Sequence, residues 1–257
     1  MTTGMSSTST PSSGKRRRRW FQFSLRSMLV VTLLFSVWLG ILAHRARQQR
    51  EAVWVVLNAG GMVWYDDGEY ESESRTINPK GSASGLDWLR TAIGEEYFRE
   101  VRAVSLRDNS ITDENLRNLM NFTNLEYLDL SNTRVTSADL IHLAGLTKLR
   151  NLSLEDTQVG DAGLQHLEQL EDLRELSLNG TQVTDAGLEN IGDLTNLMFL
   201  RLNHTQVTDA SAPHLKRLTK LRLLEIRDTK LTAEGIRALE LLPGSLVTKS
   251  RKRMVRP

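Results

Sequence analysis

A chain of 257 residues without a cysteine cannot use disulfides, thiolate metal sites or a cysteine nucleophile, and its 40% apolar content allows one or two ordinary globular domains. The net charge of +2 hides a partition: all 31 acidic residues lie between Glu51 and Thr248, against 19 of the 33 Lys and Arg, a surplus of 12 negative charges there. An acidic domain repels phosphate backbones, so nucleic acid is not an expected partner.

Residues 1–23 open on Ser, Thr, Gly and Pro and continue into the run Lys15-Arg16-Arg17-Arg18-Arg19. Nothing there can bury a core, so a disordered basic tail is expected. From Ser27 to Ala43 no residue is charged for 17 positions, which as a helix spans roughly 26 Å, a little under the hydrocarbon core of about 30 Å. Arg26 and Arg45 can snorkel outward, and Trp20 and Trp38 suit the interfaces. A buried soluble helix has no use for five basic residues at one end. Residues 24–43 are therefore expected to form a single transmembrane helix. Signal cleavage needs small residues at −3 and −1, but Ala43 is preceded by Ile41 and Ala46 by His44, which favours an uncleaved signal anchor. Six basic residues precede the uncharged stretch Ser27 to Ala43 (Lys15 to Arg19 and Arg26) and three follow it (Arg45, Arg47 and Arg50). The heavier side stays in the cytoplasm, which places the remainder on the outer, periplasmic side of an inner membrane.

Residues 44–100 connect this segment to the rest. Arg45 to Ala59 has helical spacing and ends at Gly60-Gly61, and Met62 to Tyr65 has strand composition. Asp66 to Ser84 is polar and is expected as a loop. Leu86, Leu89, Ile93 and Phe98 form one helical face within Gly85 to Phe98, which is expected to cap the repeats beginning at residue 101.

From residue 101 the sequence repeats every 24 positions: Val101, Leu125, Leu149, Leu173, Leu197 and Leu221 begin six units. Apolar residues three and five positions on (Leu152 and Leu154 in the third unit) mark a short strand. Leucines at helical spacing fill the second half, opened by Thr and Asp as in Thr184-Asp185-Ala186-Gly187-Leu188. The resulting consensus, LxxLxLxxTxVTDAGLxxLxxL, resembles the leucine-rich-repeat family over residues 101–242, and its T-D-A-G-L segment resembles bacterial solenoids and the F-box subtype. The stretch Phe23 to Val31 is similar to the start of single-pass bacterial members. One position departs from the family: Thr133, Thr157, Thr181, Thr205 and Thr229 stand where Asn is usual, and Asn109 alone keeps it.

The fold expected is an α/β leucine-rich-repeat solenoid over residues 101–248, with a parallel sheet on the concave face and helices on the convex face, preceded by the transmembrane helix and followed by a basic tail at 249–257. Three columns of strand residues face outward, beginning at Ala103, Ser105 and Arg107 and advancing by 24. Not being needed for the core, they are where partner choice can be written. Phe199, Arg201, His204, Leu223 and Arg227 cluster at one end, with Tyr127 as an outlying contact, and aromatic and Arg residues are enriched in interface hot spots.

No phosphate-cradling glycine loop, G-x-S-x-G elbow or H-E-x-x-H pair is present. His142, His166 and His214 share one column of the convex helices, but helices about 8–10 Å apart hold them too far apart to meet on one zinc. No catalysis, cofactor, metal or small-molecule substrate is expected. The expected function is a membrane-anchored protein–protein interaction module with its protein partner on the concave face. The alternatives are a substrate-receptor adaptor of F-box type and an envelope spacer without a ligand.

Overall fold

The computed structural model describes residues 25–66, 70–72, 75–76, 99–240 and 246–248. The chain divides into two units, one ending at Ile41 and one beginning at Leu42. The described part of the first unit is the start of helix α1 (Leu25–Asn58). Its apolar side chains are exposed, Leu33, Leu34 and Trp38 among them. Thr32 Oγ1 donates to the carbonyls of Met28 and Leu29, and Ser36 Oγ to that of Thr32 at 2.8 Å, so both hydroxyls are satisfied by their own helix. Among the described residues α1 is the one helix long and apolar enough to cross a membrane, with a mean hydropathy of 2.0 over its most apolar 18 residues.

Residues 24–43 and Arg45–Ala59 were expected as separate helices, but α1 runs through both, since no Pro or Gly stands between Ala43 and Ala59. Within the second unit its last turns bury Ala52 and Val56 against the repeat core, together with Val63, Val101 and Val104. The helix ends as the glycine pair predicts. Gly60 takes a left-handed φ of 81°, its N–H reaches the carbonyl of Leu57, and the N–H of Gly61 reaches that of Val56.

Among the described residues ten strands form one sheet: β1 (Met62–Tyr65), β2 (Tyr70–Ser72), β3 (Arg75–Thr76), β4 (Val101–Ser105), β5 (Tyr127–Asp129), β6 (Asn151–Ser153), β7 (Glu175–Ser177), β8 (Phe199–Arg201), β9 (Leu223–Glu225) and β10 (Leu246–Thr248). Strands β4 to β9 open the six units and are parallel in constant register, Ala103 facing Tyr127 and so on to Phe199 facing Leu223. β10 extends the sheet beyond the sixth unit, Leu246 opposite Leu223. At the other end β1 pairs antiparallel with β4 and with β2, and β2 with β3. The loop expected over Asp66–Ser84 thus contains two short strands, which occupy the otherwise open edge of β1. The capping helix expected over Gly85–Phe98 lies outside the described residues. In the structure the last turns of α1 and strand β1 cover the first repeat.

The repeat leucines and valines form one continuous core, with Leu128, Leu152, Leu176, Leu200 and Leu224 at its sheet side. The opposite side carries helices α2 (Asp113–Leu119), α3 (Asp161–Leu164), α4 (Asp185–Ile191), α5 (Ala212–Leu215) and α6 (Ala233–Glu240). The second repeat has only 3₁₀ turns, over Ala138–Leu143, and the third and fifth each add a 3₁₀ turn to a one-turn helix. Thr112, Thr184 and Thr208 cap their helices as expected.

Two bonding patterns repeat with the units. Thr133, Thr157, Thr181 and Thr205 donate from Oγ1 to the carbonyl three residues earlier at 2.6–2.7 Å, and Thr229 does so at 3.0 Å. This is how a single hydroxyl replaces the amide usual at that position. Between units, Asp161 accepts from the N–H and hydroxyl of Thr184 at 2.7 and 2.6 Å, and Asp185 holds Thr208 and Asp209 holds Thr232 in the same way. Each carboxylate at a helix start thereby binds the cap of the next unit with two charge-assisted bonds. The column of turn residues ahead of those threonines is left-handed throughout: Asp108, Asn132, Asp156, His204 and Asp228 have φ between 53° and 60°, and Gly180 has 65°. Asn, Asp and His are the non-glycine residues best suited to that region.

Candidate interaction surface

The outward columns of β4 to β9 are only partly free. Ser105, Asp129 and Ser131 are buried, against the expectation that these columns are spare: Asp129 Oδ1 accepts from the N–H and hydroxyl of Ser131, and Ser131 Oγ lies 2.8 Å from Ser153 Oγ. Asn179 accepts the N–H of Asn203 at 2.9 Å, and Asn203 in turn accepts that of Arg227 at 2.7 Å and donates to Glu225. These side chains hold neighbouring backbones in place. A small polar residue in an outward column is therefore often a structural part of a parallel sheet.

The six residues singled out by sequence fall into two places. Phe199 and Leu223 are register partners and half-buried. Arg201 sits between Glu175 at 4.0 Å and Glu225 at 3.9 Å. Arg227 Nε and His204 Nδ1 both approach Asp228 Oδ2, at 3.2 and 3.4 Å. His204 also fills the left-handed turn position of its unit, so its backbone has a structural reason for being there. Tyr127 stands apart, three strands from Phe199, which is roughly 14 Å at ordinary strand spacing. It is 40% exposed, the most open of the outward apolar residues. Burial, with the carboxylates of Asp129 and Glu175 adding and Arg107 opposing, pushes its phenol above the ordinary value, so it stays neutral.

A depression of about 180 Å³ lies on the sheet between Tyr127 with Arg107 at one side and Arg201 at the other. Asn151, Ser153 and Ser177 are its short polar residues, and Asp129, Glu155 and Glu175 its carboxylates. Ser177 is 5% exposed and its hydroxyl has no hydrogen-bond partner, the one buried side-chain oxygen of that kind among the described residues. Apart from Tyr127 and Arg201, these residues are not among those singled out by sequence. The signal was present in the columns themselves, where short residues at 151, 153 and 177 are flanked by long ones at 107, 127 and 201.

On the helix side, His142 Nε2 lies 2.9 Å from Asp113 of the preceding unit. Among the described residues no three His, Asp or Glu come together as a metal site.

Models of leucine-rich repeats match residues 123–169, as two copies, and residues 169–192. Among curated proteins none matches the chain. Two solved structures from Listeria monocytogenes are similar to part of it. Internalin C2 is 22% identical, with 58% of this chain and 81% of that one covered and a TM-score of 0.43. Internalin inlF is 20% identical, with 51% and 49% covered and a TM-score of 0.34. The matched segments, and the unit that continues from Val101 to Glu240 in the same register, show that the chain carries leucine-rich repeats.

Proposed function

We propose that the chain is a membrane-anchored, non-catalytic protein-interaction module. Residues 24–43 anchor it, and the repeats over 101–248 present a concave sheet face to a protein partner outside the cytoplasmic membrane. The observation that carries the reading is the contrast within the sheet. Its backbone is braced unit to unit by Asn179 and Asn203, as the helix starts are by the Thr–Asp pairs, while large or charged side chains remain open at Tyr127, Arg107, His204 and Arg227. A rigid sheet with side chains on fixed columns suits recognition of a folded or extended protein. The anchor rests on the exposed apolar surface of α1 and its internally satisfied hydroxyls.

Topology is tested with a reporter active only outside the cytoplasm, fused after Pro257. It is expected to work, and carbonate extraction is expected to leave the full-length chain with the membrane. A soluble product lacking residues 1–43 would replace the anchor with a cleaved export signal.

The partner face is tested by Phe199→Ala, Arg201→Ala and Arg227→Ala, each scored against the partner recovered by pull-down. At least one is expected to lose more than roughly 1–2 kcal/mol of binding with folding unchanged, as residues at an interface centre do. Normal binding by all three, together with loss on His166→Ala, would move the interface to the helix side.

A further inference from the structure

We propose that the depression between Tyr127 and Arg201 is a pocket for one cationic side chain, arginine or lysine, of the protein that docks on this face. The inference rests on the reading of the sheet as the interaction surface and adds the chemistry of its central contact.

Four observations point the same way. The volume, about 180 Å³, is that of a single long side chain and too small for a folded segment. Its charged lining is Asp129, Glu155 and Glu175 against Arg107 and Arg201, an excess of one negative charge. The two guanidiniums do not neutralise the carboxylates at close range. Arg107 is drawn toward Asp108 at 3.6 Å, and Arg201 is divided between Glu175 and Glu225 at distances beyond hydrogen bonding. Among the described residues no cation comes within ion-pair distance of Glu155. Lastly, the Ser177 hydroxyl lies at the depression nine-tenths buried and unpartnered, a cost that an incoming N–H donor would relieve.

The occupant follows from these groups. A phosphate or carboxylate would meet three carboxylates. An apolar side chain would strip water from Glu155 and Glu175 and leave Ser177 without a donor. A guanidinium or ammonium supplies several N–H donors to Glu155, Glu175, the amide oxygen of Asn151 and Ser177 Oγ, and its charge is favoured over the ring of Tyr127. The neutral phenol of Tyr127 can also accept a hydrogen bond.

The test uses the full chain in a neutral detergent and short Gly/Ser peptides with one central residue, titrated by calorimetry. The peptide with a central arginine is expected to saturate a single site, with lysine weaker, and norleucine and glutamate without saturable binding. The Glu155→Gln, Glu175→Gln double variant should weaken arginine binding at least about tenfold, since each removed charge-assisted bond contributes on that order. Ser177→Ala should weaken it about tenfold, the share of one hydrogen bond from a charged donor to a neutral hydroxyl. Ile141→Ala, on the exposed helix side, should not change it. Unchanged affinity in the double variant, equal binding of the glutamate peptide, or no saturation with arginine each overturns the pocket. A photo-reactive residue at position 199 separates this from the broader reading. If it captures a protein while the peptides fail, the pocket alone is wrong. If capture occurs only from the helix side, the surface is wrong as well.

Discussion

Truncating Leu176 to alanine is expected to lower the stability of the repeat domain by about 2–5 kcal/mol, as removal of a buried leucine side chain does through lost transfer energy and a residual cavity. Leu176 and Leu178 are both fully buried in the fourth of six units, so each is packed by repeats on both sides. The loss therefore weakens two inter-unit interfaces at once, and in a solenoid those interfaces supply much of the stability. Far-UV circular dichroism through a urea titration of the detergent-solubilised chain reads the change. Ser177, between them, is the control, and the structure alters what it should do. From sequence it is an exposed position, with a cost below roughly 0.5 kcal/mol on truncation. It is in fact buried with an unpartnered hydroxyl, so Ser177→Ala should be neutral or slightly stabilising. A cost at 177 equal to that at 176 would mean the strand register is wrong by one residue.

Gly187→Ala is expected to cost about 1–3 kcal/mol, the range for forcing an atom into filled space. A helical glycine is ordinarily improved by alanine by about 0.5–1 kcal/mol, so the prediction is one of sign as well as size. An added Cβ would stand 2.5 Å from Asp161 Oδ1 and 3.1 Å from the Asp161 Cα. That oxygen cannot swing away freely, because it accepts the N–H of Thr184 at 2.7 Å. The glycine of the T-D-A-G-L motif is thus where one unit's helix approaches the aspartate of the unit before it. Gly235 repeats the arrangement against Asp209. A Cβ added at Gly145 would meet nothing within 4 Å, and Gly145→Ala should lie within about 0.5 kcal/mol of the parent in the same titration. A stabilising Gly187→Ala would show that the carboxylate bridge does not brace the units.

The 24-residue period made the six parallel strands, their register and the buried leucines legible, because a strand with one buried face admits no slip without exposing its core residues. Three things were hidden for physical reasons. The strand β10 pairs Leu246 with Leu223, an offset of 23, so it falls out of the period. The hairpin strands β2 and β3 are short and polar and carry no alternation to read. The left-handed turn column is occupied by glycine only at Gly180, so composition does not announce it, and the backbone role of His204 was not legible. On the sheet face, sequence could say which residues point outward but not which are already engaged. Asn203 and Ser131 are tied into the neighbouring units, whereas Glu155 and Tyr127 face a depression. That distinction depends on distances across strands, which no single strand contains.

Photo-crosslinking in intact cells tests whether the sheet face receives a protein partner. A photo-reactive amino acid is placed singly at Phe199 and Asn151 on the sheet, and at Ile141 and Gln165 on the exposed helix side. Positions 199 and 151 are each expected to capture a protein of one and the same mass, while 141 and 165 capture none. Capture from 141 or 165 with silence at both sheet positions would contradict it.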